Sequence, residues 1–297
     1  MRLAVLSDIH GNLPALEAVL TDLRPLNVDH VIVAGDSINW GPFSTEVIDY
    51  IAHQNWAVIR GNHELYLLEQ GREEEPQYRR DWTTKRHLRE TIPKNLQYYI
   101  GSLPDALTLY YPGLPSVAVF HASPGNHFRG VFMRMTDDEI NDIFEHVSAH
   151  TIIVGHTHLP MHKEVGKRQI LNPGSVGVAL DGIPGARYML LDGDADGWTP
   201  TFRHVEYDYK PLFDAFEARR FIDYHQATGR ILIEEFRTAR PVMWGFRQWL
   251  AENGHPMSSE SLALAEQYIT NPDARWHYMP ESYRLNLPAE RIDFWSA

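Results

Sequence analysis

Five short apolar runs in this chain end at side chains that bind metals, and four of the five pass through a Gly or Ser immediately beforehand. The first is Leu3-Ala4-Val5-Leu6, followed by Ser7, Asp8, Ile9, His10 and Gly11. A run of this kind reads as a strand buried on both faces of a parallel or mixed sheet. If the extended geometry continues, Asp8 and His10 leave the backbone on the same side. A carboxylate and an imidazole together at the carboxyl end of a strand suit a divalent cation.

The same pattern recurs. His30 to Ala34 reads as a second strand closed by Gly35-Asp36, and Trp56 to Ile59 as a third, followed by Gly61-Asn62-His63-Glu64. Helical periodicity follows the first two: Leu13, Leu16, Val19, Leu20 and Leu23 share one face, and a second helix is expected over Thr45 to Gln54. Strand, loop and helix in alternation indicate an α/β fold with parallel strands. Residues 64–100 are charged and helix-favouring, including the run Arg72-Glu73-Glu74-Glu75, and are expected to form a helical insertion, partly a lid.

Strands are then expected at 107–111 and 117–121, the second ending in His121. A helix from Thr136 to Val147 opens with the capping-box pair Thr136 and Glu139. The strand Thr151 to Val154 ends in Gly155-His156-Thr157-His158. From Gln169 the sequence favours strands of a second layer (QILN, RYMLLD and TFRHVEY). Past Pro211 come two or three helices and then a Pro- and aromatic-rich tail from Asn271 to Ala297.

The net charge of −12 argues against a surface that binds nucleic acid duplexes. It leaves room for small phosphorylated substrates if bound metal supplies positive charge locally. The chain has no cysteine, so thiol chemistry and Cys-based zinc sites are excluded. No apolar stretch approaches the ~18 residues needed to cross a bilayer, and the N-terminus runs straight into a strand. The expectation is a cytoplasmic protein without a membrane partner.

Taken together, the strand ends supply oxygen from Asp8, Asp36 and Asn62 and nitrogen from His10, His121, His156 and His158. Seven such donors are too many for one ion and suit two ions sharing a carboxylate. His63, next to Asn62, points elsewhere than Asn62 if the backbone is extended there, and is the expected general acid for a leaving group or donor to a phosphoryl oxygen. Asn12 is placed either as a phosphate contact or as a helix cap.

The ordered set D-x-H, G-D, G-N-H-E, a lone strand-end His and G-H-x-H resembles the calcineurin-like metallophosphoesterases over about residues 1 to 210. Within that family, GDSINWGP and LNPGSVGVALDGIPGARYMLLD are similar to the branch of small bacterial and archaeal phosphodiesterases and dinucleoside polyphosphate hydrolases. The resemblance implies a four-layer α/β/β/α sandwich of two mixed β-sheets flanked by helices. It would span 1–245, with 246–297 as an extension packed on the same domain.

The resemblance further implies one ion on Asp8, His10, Asp36 and His158 and another on Asp36, Asn62, His121 and His156, with Asp36 bridging. The ions would be Mn²⁺ or Fe, with Ni, Co or Zn as alternatives. The implied reaction is in-line attack by a hydroxide held between the ions on a phosphodiester or phosphoanhydride of a small nucleotide-type substrate. Two other readings are a phosphomonoesterase or protein phosphatase, and a non-catalytic interaction scaffold. One departure bears on them: Asn39-Trp40 stand where the protein phosphatases of this superfamily resemble one another in an Asp and a phosphate-gripping Arg.

Overall fold

The structure, a computed structural model, describes residues 1–72, 83–271, 278 and 280–284. Among the described residues ten strands form two five-stranded sheets. The first contains β1 (Arg2–Leu6), β2 (His30–Val33), β3 (Ala57–Val58), β9 (Ala186–Asp194) and β10 (Gly197–Val205), in the order β10-β9-β1-β2-β3. The second contains β4 (Ala106–Leu109), β5 (Val117–Phe120), β6 (Thr151–Ile153), β7 (Met161–Val165) and β8 (Arg168–Asn172), in the order β4-β5-β6-β8-β7. β1, β2 and β3 run parallel in the first sheet and β5, β6 and β8 in the second, and antiparallel strands complete both.

Alternation along the strands builds the layers. Leu3 and Val5 of β1 face inward and pack with Ile32, Val117, Val119, Ile153 and Leu171 in the space between the sheets. Ala4 and Leu6 face outward, against Leu16 and Val19 of α1 (Leu13–Leu23) and Val47 and Ile51 of α2 (Ser44–Ala52). On the far side, Ala118, Ile152 and Ile170 pack against Ile140 and Phe144 at α6 (Asp137–Ile143). The result is the α/β/β/α sandwich, with every central strand buried on both faces.

The insertion forms three helices in the described residues: α3 (Asn62–Glu69), α4 (Thr83–Thr91) and α5 (Lys94–Ser102). Leu67, Leu88, Ile92, Leu96 and Ile100 bury against Ile38 and Ile48. Residues 73–75 of the expected charged run lie outside the described residues, as does most of the expected C-terminal tail. In the described residues five helices follow the sheets: α7 (Lys210–Ala218), α8 (Phe221–Thr238, kinked at Gln226), α9 (Val242–Glu252), α10 (Leu262–Ile269) and the short α11 (Glu281–Arg284). We propose that they pack as an extension of the same unit, since α9 runs across residue 245 and shares its apolar cluster with α8. Among the described residues no helix is long and apolar enough to cross a membrane.

The expected second layer from Gln169 onward is corrected. Only β8 joins the second sheet, beside β6, whereas β9 returns to pair antiparallel with β1 and carries β10 with it. The edge strand β7 was not expected, because its centre, His162-Lys163-Glu164, is polar and in part faces water. The helix expected over Thr136 to Val147 is shorter, Asp137–Ile143, but its capping box is present. Thr136 Oγ1 accepts the Glu139 N–H at 3.3 Å, and Glu139 Oε2 accepts the Thr136 N–H at 2.7 Å.

Candidate metal centre

The first strand does not continue through Asp8 and His10. Their φ angles are 53° and 49°, so both residues are left-handed, and the expectation of an extended D-x-H segment is overturned. The neighbouring strand end sets this turn. The N–H groups of Asp8, His10 and Gly11 donate to the carbonyls of Gly35, Asp36 and Ser37 at 3.0, 2.9 and 3.0 Å. Asp36, His156 and His158 are left-handed too, at 53°, 66° and 59°. Such conformations cost about 1–3 kcal/mol each, persist only where the surroundings over-determine them, and concentrate at functional sites.

Close backbone approach makes two glycines necessary. A Cβ on Gly61 would lie 2.1 Å from Asp36 Oδ1, and one on Gly35, already at φ 92°, would lie 2.6 Å from His121 Nδ1. Glu64 ties the same loops together from inside. Its carboxylate accepts the N–H groups of Asp36 (2.9 Å), Ser37 (2.8 Å), Ile38 (3.3 Å) and Gly61 (2.7 Å). Burial and the Asp36 charge push this carboxyl up to about 7, against the pull of the N–H groups. Glu64 was not expected to have a role; three residues after Gly61, its carboxylate reaches back to the Gly61 N–H, which is half of a capping box.

The loop after β8 supports Asp8 from below. Ser175 Oγ donates to the Asp8 carbonyl at 2.7 Å, and the Gly177 N–H donates to the same oxygen at 3.0 Å. The Asp8 carboxylate in turn accepts the His156 N–H, at 3.1 Å from Oδ2, which draws the fifth strand end onto the first.

Side chains from all five strand ends therefore meet. Asp8, His10 and His158 bring one donor atom each within 4.8 Å of one another, and so do His10, Asp36 and His63, and Asp36, His121 and His156. Asp36 Oδ2 lies 3.2 Å from His121 Nε2, 3.8 Å from His10 Nε2 and 3.9 Å from His63 Nε2. Asn62 Oδ1 lies 2.9 Å from His121 Nε2 and 2.8 Å from His156 Nδ1. All of these residues are buried except His156, which is partly exposed and marks the side open to solvent.

The donor chemistry fits cations. His121 Nδ1 donates to the Ala34 carbonyl at 2.8 Å and His158 Nδ1 to the Val178 carbonyl at 2.6 Å. In neutral rings those bonds leave both Nε2 atoms as lone pairs. The His121 lone pair then faces the oxygens of Asn62 and Asp36, and that of His158 faces Asp8 Oδ1 at 3.3 Å. Lone pairs converging at about 3 Å repel unless positive charge lies among them, and a mixed oxygen and imidazole set suits first-row dications.

The electrostatics carry the same demand. Burial opposes charge on His121, yet the adjacent Asp36 lifts its imidazole to about 10. Burial would raise the Asp36 carboxyl, but His121 and His63 hold it well below the usual range. Burial lowers His156 and His63, each to about 4, with the charge on His121 adding to the effect.

Two expectations change in this setting. Asn12 does not face the cluster. It is fully buried as the α1 cap, with Oδ1 accepting the Ala15 N–H at 3.2 Å and Nδ2 donating to Gly177 O and Tyr207 Oη, both at 2.8 Å. Its polar atoms are thus already used within the protein, and a phosphate contact is not available to it. His63 does not point away from Asn62's site, because residues 62 and 63 begin α3 instead of continuing a strand. Its N–H donates to Asp36 Oδ1 at 2.8 Å and its ring enters the cluster.

Residues 1–196 match the calcineurin-like phosphoesterase superfamily domain, and the chain belongs to that superfamily. It is a metal-dependent phosphoesterase. An uncharacterized protein of Methanocaldococcus jannaschii is 29% identical over 239 residues, which are 73% of this chain and 93% of the relative. Phosphodiesterase YfcE of Escherichia coli is 26% identical over 205 residues, 65% of this chain and 89% of its own. The crystal structure of a metallophosphoesterase from Sphaerobacter thermophilus shares the fold, with a TM-score of 0.65 at 23% identity over 80% of this chain and 100% of that one.

Proposed function

We propose that this protein hydrolyses phosphodiester or phosphoanhydride bonds of small, nucleotide-type substrates at a two-ion centre. The observation that supports the reading most is the position of Asp36, whose one carboxylate stands between the donor group of His10 and that of His121 and His156. In this reading Asp8, His10, Asp36 and His158 hold one dication, and Asp36, Asn62, His121 and His156 hold the other. Mn²⁺ or Fe suits the donors. Bound there, two dications neutralise phosphoryl oxygens and make a water molecule acidic enough to supply the nucleophile.

The remaining work falls to the chain's own groups. His63, lowered to about 4, is neutral near pH 7. It serves as a hydrogen-bond donor to the phosphoryl group and not as a reservoir of acid protons. Asn39 and Trp40 in place of an Asp and an Arg remove the phosphate grip of the protein phosphatases, which favours a diester over a phosphorylated protein. The Escherichia coli relative, named a phosphodiesterase, supports the same choice.

The test is a comparison of bis-p-nitrophenyl phosphate with p-nitrophenyl phosphate, followed by dinucleoside polyphosphates and cyclic nucleotides, using chelated protein to which Mn²⁺ is returned. We expect kcat/KM for the diester to exceed that for the monoester at least about tenfold, a difference of 1.4 kcal/mol in transition-state binding. Equal or faster turnover of the monoester overturns the diester assignment.

A further inference from the structure

His10 differs from two other imidazoles of the cluster in how its ring is held. His121 and His158 each give Nδ1–H to a backbone carbonyl. His10 turns Nε2 toward Asp8, Asp36 and His158, while its Nδ1 is fully buried and has no hydrogen-bond partner among the described residues. Metal-binding imidazoles are ordinarily oriented by a hydrogen bond from the second ring nitrogen. Here an indole covers the ring instead. Trp40 stacks on His10 with centroids 4.4 Å apart and planes 17° apart. His63 stands edge-on to both rings, 4.7 Å from Trp40 and 4.6 Å from His10.

Trp40 is itself firmly placed. Its φ is 69°, following Asn39 at 75°; its N–H donates to Asn39 Oδ1 at 2.9 Å, and the Asn39 N–H donates to Ser44 Oγ at 2.9 Å. The indole packs against a cluster in which Leu159 and Val178, beside the metal-type residues, meet Leu212, Phe216, Leu232 and Phe236 of α7 and α8. Those helices lie beyond residue 196, outside the segment that matches the superfamily.

We propose that Trp40 is a positioning residue for the metal centre: it fixes the His10 ring by stacking where a hydrogen bond would otherwise do so, and the C-terminal helices hold Trp40 in place. The proposal rests on the reading of His10 as a metal donor. It gives the C-terminal extension a part in the active site although no described residue of the extension joins the donor set.

Full-length Trp40→Leu and Trp40→Phe, stripped with chelator, test this by calorimetric titration with Mn²⁺ and by thermal melts of the chelated proteins. Leucine fills the apolar cluster without offering a ring face, whereas phenylalanine restores the face. Trp40→Leu is expected to weaken binding at one of the two sites at least about tenfold, the range for losing an orienting partner of a ligand. Trp40→Phe is expected to stay near wild type, with the melts of both close to it. Wild-type affinity in Trp40→Leu overturns the proposal, as does a Trp40→Phe variant that keeps its melt yet loses affinity as fully as Trp40→Leu. Should Trp40→Leu fail to fold, Trp40→Phe decides by itself: retained affinity supports stacking and lost affinity refutes it. A wild type that takes up no Mn²⁺ refutes the metal-centre reading as well, and is thereby distinguished from failure of the Trp40 variants alone.

Discussion

Asp36→Asn is expected to lower phosphodiester hydrolysis by about 10³-fold or more, the upper end of what one electrostatic group contributes in a site. The substitution keeps the shape of the side chain and its acceptor for the His63 N–H. It removes the negative charge that faces His121, His10 and His63, and it can place an NH₂ donor against ring nitrogens that need a cation between them. Metal analysis of the variant should show fewer than two ions per chain. An Asp36→Asn enzyme that holds two ions and turns over at the wild-type rate eliminates the shared carboxylate.

The same substitution has a signature in the chelated protein. His121 is raised from 6.5 to about 10, so its contribution to stability is complete below 6.5 and is lost as pH rises through about 10. Asp36 is lowered from 3.8, so its contribution is present above 3.8 and is lost as pH falls below that value. Chelated wild type should therefore lose stability between neutral pH and about 10. Asp36→Asn should lose much less over that interval, because His121 no longer has the partner that raises it.

His63→Ala is expected to leave metal content unchanged and to reduce turnover of diesters with poor leaving groups by about 10²-fold. His63 lies in the first turn of α3 and stands edge-on to the stacked rings of His10 and Trp40. Because burial holds the imidazole near 4, it contributes a hydrogen bond as a neutral ring at pH 7. His63→Gln keeps an N–H donor that does not titrate, and should recover part of the lost rate. In the wild type, no loss of rate assignable to His63 should occur between pH 6 and 8. Should His63→Gln be as slow as His63→Ala while the wild-type rate falls through pH 6.5, His63 is a general acid of ordinary pKa.

The convergence of these side chains was readable because each follows a short apolar run, and parallel strands deliver such residues to one edge of a sheet. Asp8, Asp36, His121 and His156 illustrate this: each lies within three residues of the end of a central strand. The backbone path was not readable. The left-handed turns at Asp8 and His10 depend on carbonyls of residues 35 to 37, a non-local pairing without a pattern in residues 3–12.

Two side chains show the same limit in opposite directions. Asn12 follows the D-x-H motif and suits a phosphate contact by type, but capping α1 and bonding Gly177 and Tyr207 uses its amide completely. Trp40 stood out only as a departure from related enzymes, since stacking on His10 requires a left-handed Asn39-Trp40 turn and helices some 170 residues further along. The return of β9 to β1 was hidden for a related reason: strand propensity marks Ala186–Asp194 as extended but does not say which sheet edge is open to it.

Metal content measured against hydrolysis bears most directly on the two-ion centre. Chelated full-length protein is dialysed against graded Mn²⁺, bound metal is determined by elemental analysis, and diester turnover is measured on the same samples. Asp36 lying between two donor groups predicts saturation at two ions per chain, with turnover returning only as the second ion binds. Saturation at one ion, or full turnover in the presence of chelator, contradicts it.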